Sequence, residues 1–200
     1  IARGLAYAHA KAGTDGKPLG IVHRDVSFKN IMIAFEGDVK LTDFGIAKAK
    51  GFLVDNEGEV VAGKADYMSP EQASFLVTDK RSDLFSAGVV LGHLLLGKNI
   101  FKGQTPEESR KRMISMPIPD FRTLDERIDT RLNEILHRAL ARDVDKRYPN
   151  GDELLYDLEH YIYSAGYGPT NETLGKFMRE LFDQRQFAGG EMSPLPAPAA

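Results

Sequence analysis

The chain has 200 residues, with 29 acidic and 26 basic side chains and a formal net charge of −3, a balance that excludes a nucleic-acid binder working through a broad basic surface. Hydrophobic residues make up 42%, enough for a packed core and too many for a disordered chain. The absence of Cys excludes disulfides, thiolate zinc sites and Cys nucleophiles together, and fits a cytoplasmic setting.

Residues 1–10 place Ile1, Leu5 and Ala8 at helical spacing, the pattern of a helix end. The chain opens inside that pattern with no initiator Met or charged leader, which reads as a fragment whose natural start lies upstream. Residues 11–20, with three Gly and one Pro, form a loop. Two short β-like runs, 30–34 and 39–42, flank the turn signal Glu36-Gly37-Asp38, so a hairpin is expected. Residues 46–66 read as a long loop, of the kind that is functional or disordered.

From Ser69 onward the pattern is helical. Residues 82–96 are apolar on nearly all faces, the mark of a buried helix. Further helices are expected at 106–115, 126–141, 151–163 and 173–185, the last capped by Asn171. The most apolar stretch, 87–96, contains His93 and is far shorter than the ~20 residues a bilayer requires. Residues 189–200 form a Gly/Pro/Ala linker. The expected fold class is mainly α with a small β-hairpin.

Chemistry concentrates in His23-Arg24-Asp25-Val26-Ser27-Phe28-Lys29-Asn30 and, thirteen residues further on, Asp43-Phe44-Gly45. This resembles the catalytic loop and metal-binding triplet of eukaryotic-like protein kinases, H-R-D-x-x-x-x-N followed by D-F-G. Met68-Ser69-Pro70-Glu71 looks like a variant of the family's A-P-E. Asp83-Leu84-Phe85-Ser86-Ala87-Gly88 looks like its D-x-W-x-x-G segment, and Arg147 falls where the family keeps an Arg paired with the Glu of A-P-E. The resemblance implies the C-terminal lobe of a bacterial, Hanks-type Ser/Thr kinase over 1–163, a helical extension over 164–188, and the linker.

It further implies ATP and Mg²⁺ as cofactors and a protein Ser/Thr hydroxyl as acceptor. Asp25 would orient the attacking hydroxyl, Asn30 and Asp43 would hold Mg²⁺, and Met32 would floor the adenine while also reading as ordinary strand core. His23, Arg24, Phe44, Gly45, Glu71, Asp83 and Arg147 would be structural, with His23 against Phe44, Glu71 in a buried pair with Arg147, and Asp83 anchoring the catalytic loop. The glycine-rich cover, the nucleotide-binding Lys and its Glu partner belong to an N-terminal lobe missing from the sequence, so these 200 residues alone are expected to be inactive.

Three departures from the family pattern stand out. Ser27 occupies the position where Ser/Thr kinases usually carry Lys, and Lys64 the position of their activation-segment Thr. The exchange suggests that Lys64 supplies the phosphate-facing charge, with Lys29 the competing candidate. No Ser or Thr lies between Asp43 and Ser69, so Asp55, Glu57 or Glu59 would give Arg24 a constitutive carboxylate and activity would need no loop Ser/Thr phosphorylation. Three other readings compete. A pseudokinase scaffold is disfavoured by the presence of Asp25, Asn30 and Asp43, a small-molecule kinase by Arg24 and the A-P-E-like segment, and tyrosine specificity by the form of residues 68–72. The Pro/Ala tail suggests a link to a regulatory or membrane-spanning region outside the sequence.

Overall fold

A computed structural model describes residues 1–44, 65–164, 166 and 168–182. Its elements are α1 (Ala2–Ala10), a hairpin of β1 (Ile31–Ile33) and β2 (Val39–Leu41), then α2 (Pro70–Ala73), α3 (Lys80–Leu96), α4 (Pro106–Ser115), α5 (Thr130–Ala139), α6 (Gly151–Tyr163) and α7 (Asn171–Phe182). The chain is mainly helical, with a single two-stranded antiparallel sheet among the described residues.

Helix α3 is apolar all round because it separates two cores. Phe85 and Val89 pack with Phe101, Met113, Phe121 and Leu136. Leu84 and Val90 pack with Leu5, Val26, Ile135 and Tyr148. Each such side chain contributes about 1.5–3 kcal/mol through burial, so α3 is the scaffold to which the other elements are fixed. It begins two residues before the expected Ser82, because the Asp79 carboxylate caps it by accepting from the Arg81 N–H. It stops at Gly97, which takes φ 67.

Other helix ends depart from expectation too, α5 stopping at Ala139 and not at 141. Helix α5 starts at Thr130 rather than Glu126, since the Asp125 side chain folds 125–127 into a turn and Asp129 caps the helix at the Leu132 N–H. Helix α7 starts at Asn171 itself, and Thr170 rather than Asn171 caps the Thr173 N–H at 3.2 Å. The Asn171 side chain instead reaches the Asp38 carboxylate, 2.8 Å away. Among the described residues, no helix is long and apolar enough to cross a membrane.

The hairpin pairs Ile31 with Leu41, Met32 with Lys40 and Ile33 with Val39. Gly37 makes the turn at φ 91, a backbone state that L side chains disfavour. At the open end, the Thr42 N–H donates to the Asn30 carbonyl at 2.8 Å, which places the residues just before β1 beside those just after β2.

Candidate active site

The site is built on one buried carboxylate. Asp83, in the first turn of α3 and 1% exposed, accepts from the N–H groups of His23 and Arg24, both at 2.7 Å. Arg24 takes φ 62, a strained value for a non-glycine residue. The turn it makes aims two successive N–H groups at one anion. His9 of α1 brings its Nε2 to the same carboxylate at 2.8 Å, with both side chains buried. The sequence reading missed His9. It lies on a helix read for Ile1, Leu5 and Ala8, and nothing in its spacing names its partner.

From that anchor the loop is held by its own side chains. The Asp25 N–H donates to His23 Nδ1 at 3.2 Å, leaving Nε2 to donate to the Thr42 carbonyl at 2.8 Å. The His23 ring lies against Phe44, centroids 4.6 Å apart. One imidazole thus joins the loop before β1 to the segment after β2. The Asn30 amide N–H donates to the Asp25 carbonyl at 2.7 Å, and Asn30 is buried. Asp43 is exposed and takes φ 57. Asp25 and Asn30 are therefore tied by a hydrogen bond, while Asn30 and Asp43 are neighbours through the hairpin register.

Of the lysines, Lys29 is exposed beside Asn30. Gly45, Lys64, Asp55, Glu57 and Glu59, and the linker 189–200, lie outside the described residues. Met32 is 57% exposed on β1, which corrects its reading as ordinary strand core.

Residues 69–72 are fixed to the same scaffold. Ser69 and Gln72 form a reciprocal cap at the start of α2, and the Gln72 amide also donates to the Arg24 carbonyl at 2.9 Å. The Glu71 carboxylate accepts from Arg147 Nη1 and the Ser82 hydroxyl, each at 2.7 Å. Arg147 donates onward to the Ala141 and Arg81 carbonyls. Burial pushes the Glu71 carboxyl up, but Arg147 and Ser82 outweigh it and hold the group below its ordinary value.

A second contact not foreseen from sequence joins the 23–30 loop to the 65–67 turn. His93 of α3 meets Phe28, centroids 4.6 Å apart, and Tyr67, whose hydroxyl lies 2.9 Å from His93 Nδ1, and the Phe28 and Tyr67 rings also touch, at 5.8 Å. Burial and the Lys102 ammonium lower the His93 pKa against an opposing pull from Asp66. That shift favours the neutral ring, which shares one hydrogen bond with the Tyr67 hydroxyl.

A profile of the protein kinase domain matches residues 1–156, spanning every contact just described. The chain belongs to the protein kinase domain family. It is 34% identical over 195 residues to the tyrosine-protein kinase MasK of Myxococcus xanthus, covering 98% of this chain and 30% of that protein. It is 36% identical over 159 residues to a protein of Clostridium perfringens named a probable serine/threonine-protein kinase, covering 80% and 22%. It is 34% identical over 156 residues to the serine/threonine-protein kinase PknL of Mycobacterium tuberculosis, covering 78% and 37%. This kinase-family chain thus spans between about a fifth and two fifths of the length of these relatives.

The donor chemistry of the site fits Mg²⁺ carried by a nucleotide. Asn30 spends its amide N–H on the Asp25 carbonyl, which leaves its carbonyl oxygen as the ligand atom. Asp43 adds an exposed carboxylate. Two hard oxygens, one anionic, suit a cation that takes its other ligands from water and phosphate. Among the described residues there is no cluster of three or more His, Cys, Asp or Glu side chains placed to hold a metal.

Proposed function

We propose that the chain is the C-terminal lobe of a protein kinase that transfers the ATP γ-phosphate to a protein Ser or Thr hydroxyl, its N-terminal lobe lying outside these 200 residues. The observation that carries the reading is the joining of Asp25 to Asn30 by a 2.7 Å hydrogen bond, with Asn30 set beside the Asp43 segment by the hairpin.

Asp25 would accept and orient the proton of the attacking hydroxyl. Asn30 would hold the cation with one end of its amide and the Asp25 backbone with the other, so that base and metal keep a fixed separation. Asp43 would neutralise phosphate charge through Mg²⁺, which, when bound, stabilises the charge on the transferring group. Met32, exposed on β1, would meet the adenine. Most of the rate would come from positioning and charge neutralisation, since phosphoryl transfer asks little covalent chemistry of the protein. Lys64 would face the transferred phosphate. An ATP-consuming reaction fits the cytoplasm.

The test is phosphotransfer by the full-length protein to a mixed protein substrate, followed by identification of the phosphorylated amino acid. Asp25→Asn is expected to lower kcat by about 10²–10⁴-fold, the range of general-base catalysis, with the melting temperature unchanged. Phosphoserine or phosphothreonine is the expected product. Phosphotyrosine would move the acceptor class towards that in the name of the Myxococcus relative. Absence of transfer by the unmodified protein would favour a scaffold built on the kinase fold.

A further inference from the structure

Helix α7 lies beyond the residues matched by the kinase profile, 1–156, yet it is seated on the turn of the hairpin. Its docking face reads Asn171, Gly175, Arg179, Phe182, a spacing of four, four and three that lines one side of a helix. Asn171 donates to the Asp38 carboxylate at 2.8 Å, and Arg179 donates to the Phe35 carbonyl at 2.8 Å. Phe182 meets Phe35 edge to face, centroids 6.1 Å apart.

Between these anchors the two backbones touch. A Cβ built on Gly37 would fall 1.8 Å from the Asn171 carbonyl oxygen, and one built on Gly175 would fall 2.7 Å from the Glu36 carbonyl carbon. Gly175 is the buried residue of α7, whereas Phe177 and Leu181 are more than half exposed. The helix is thus held by a glycine-bearing face with polar anchors, on which Leu174 and Met178 are half-buried, while Phe177 and Leu181 stay outside it. Such a contact specifies a partner; generic apolar burial does not.

The hairpin has little else to hold its closed end. Its strands are three residues each, and Met32, Ile33, Val39 and Lys40 are all exposed. A two-stranded hairpin of that kind is marginal in water by itself. Ile31 and Leu41 pack on the core at the open end, and α7 grips the turn at the other.

We propose that α7 is a positioning clamp for the nucleotide half-site: seated on residues 35–38, it holds β1 and β2 in the register that presents Met32, Asn30 and Asp43. The clamp rests on the reading of those three residues as nucleotide and Mg²⁺ contacts. It couples the C-terminal extension to ATP binding and leaves the Asp83 anchor of His23 and Arg24 untouched.

The experiment uses the full-length protein with Gly175→Leu, which drives a side chain into the turn, and Arg179→Ala, which removes one anchor without a clash. Hydrogen exchange at the amides of 31–41 is expected to speed up by about tenfold or more in Gly175→Leu, while the α3 amides keep their protection. The KM for ATP is expected to rise about five- to tenfold with kcat within about twofold, the pattern of lost ground-state binding. Arg179→Ala should move both quantities the same way by less. Unchanged hairpin exchange in Gly175→Leu, or faster exchange with an unaltered KM, overturns the clamp. If the unmodified protein transfers no phosphate, the kinase reading fails separately, and the exchange result still decides whether α7 holds the hairpin.

Discussion

Asp83 carries more of the site than any other side chain, although it touches no reacting atom in the proposed mechanism. Three donors converge on it: the backbone N–H groups of His23 and Arg24 and the His9 ring. Removing the acceptor leaves at least two buried N–H groups unsatisfied, at about 1–3 kcal/mol each. Asp83→Ala should therefore lower unfolding free energy by about 2–6 kcal/mol in chemical denaturation, and Asp83→Asn, which keeps one carbonyl oxygen, by clearly less. Equal losses in the two variants would show that the negative charge, and not acceptor geometry, holds the loop. The identities of these residues were legible in the H-R-D and D-x-W-x-x-G spacings. The third partner was not, because a buried His on a helix gives no sign of which carboxylate it will meet 74 positions away. His93 was hidden for a related reason: within an all-apolar helix it reads as a tolerated impurity, and its contacts with Phe28 and Tyr67 exist only once two loops have folded over α3.

At the scale of elements, the hydrophobic periodicity identified the helices because burial dominates their energetics, and it placed α4 and α6 to the residue. It failed at ends ruled by side-chain caps. Asp79, Asp129 and Thr170 each moved a boundary, since one cap contributes about 1 kcal/mol and outweighs a few residues of weak propensity. It carries no sign of the docking of α7, which lands on Asn171, Gly175 and Arg179 while Phe177 and Leu181 stay exposed. Close approach of backbones is decided by residues that add no hydrophobicity to the pattern. The same rule yields a paired prediction in the helices themselves. A Cβ on Gly88 would lie 2.9 Å from the Ala139 Cβ and 3.2 Å from Leu140 Cδ2, wedging α3 from α5, whereas one on Gly4 of α1 meets nothing within 4 Å. Replacing Gly by Ala in a helix gains about 1 kcal/mol of propensity, and overpacking costs about 1–3 kcal/mol. Gly4→Ala should therefore raise the unfolding free energy by up to about 1 kcal/mol. Gly88→Ala should lower it by about 1 kcal/mol, so that denaturant midpoints move in opposite directions for the same chemical change.

Across the whole molecule, the Glu71–Arg147 pair joins segments that are far apart in sequence: α2, the start of α3 through Ser82 and the Arg81 carbonyl, and the loop after α5 through the Ala141 carbonyl. Its side chains are 8% and 0% exposed, so salt screens it little. Breaking it leaves a buried guanidinium with reduced compensation, at about 3–5 kcal/mol. The pH dependence follows from the direction of the Glu71 shift. The native carboxyl titrates below its ordinary value of 4.5, so the unfolded chain binds the proton first as pH falls. The stabilisation is complete above about pH 4.5 and is lost as pH drops through the lowered native value. Other carboxylates share this acid limb, among them Asp120 and Asp125, both held down to about 2 by neighbouring Arg side chains. A comparison with Glu71→Gln removes them, because they titrate identically in both proteins. The stability gap between wild type and Glu71→Gln should be widest and flat above pH 4.5 and should shrink steadily below it. A gap that stays constant into the acid range would mean that the Glu71 charge contributes nothing to joining the three segments, and that its neutral hydrogen bonds suffice.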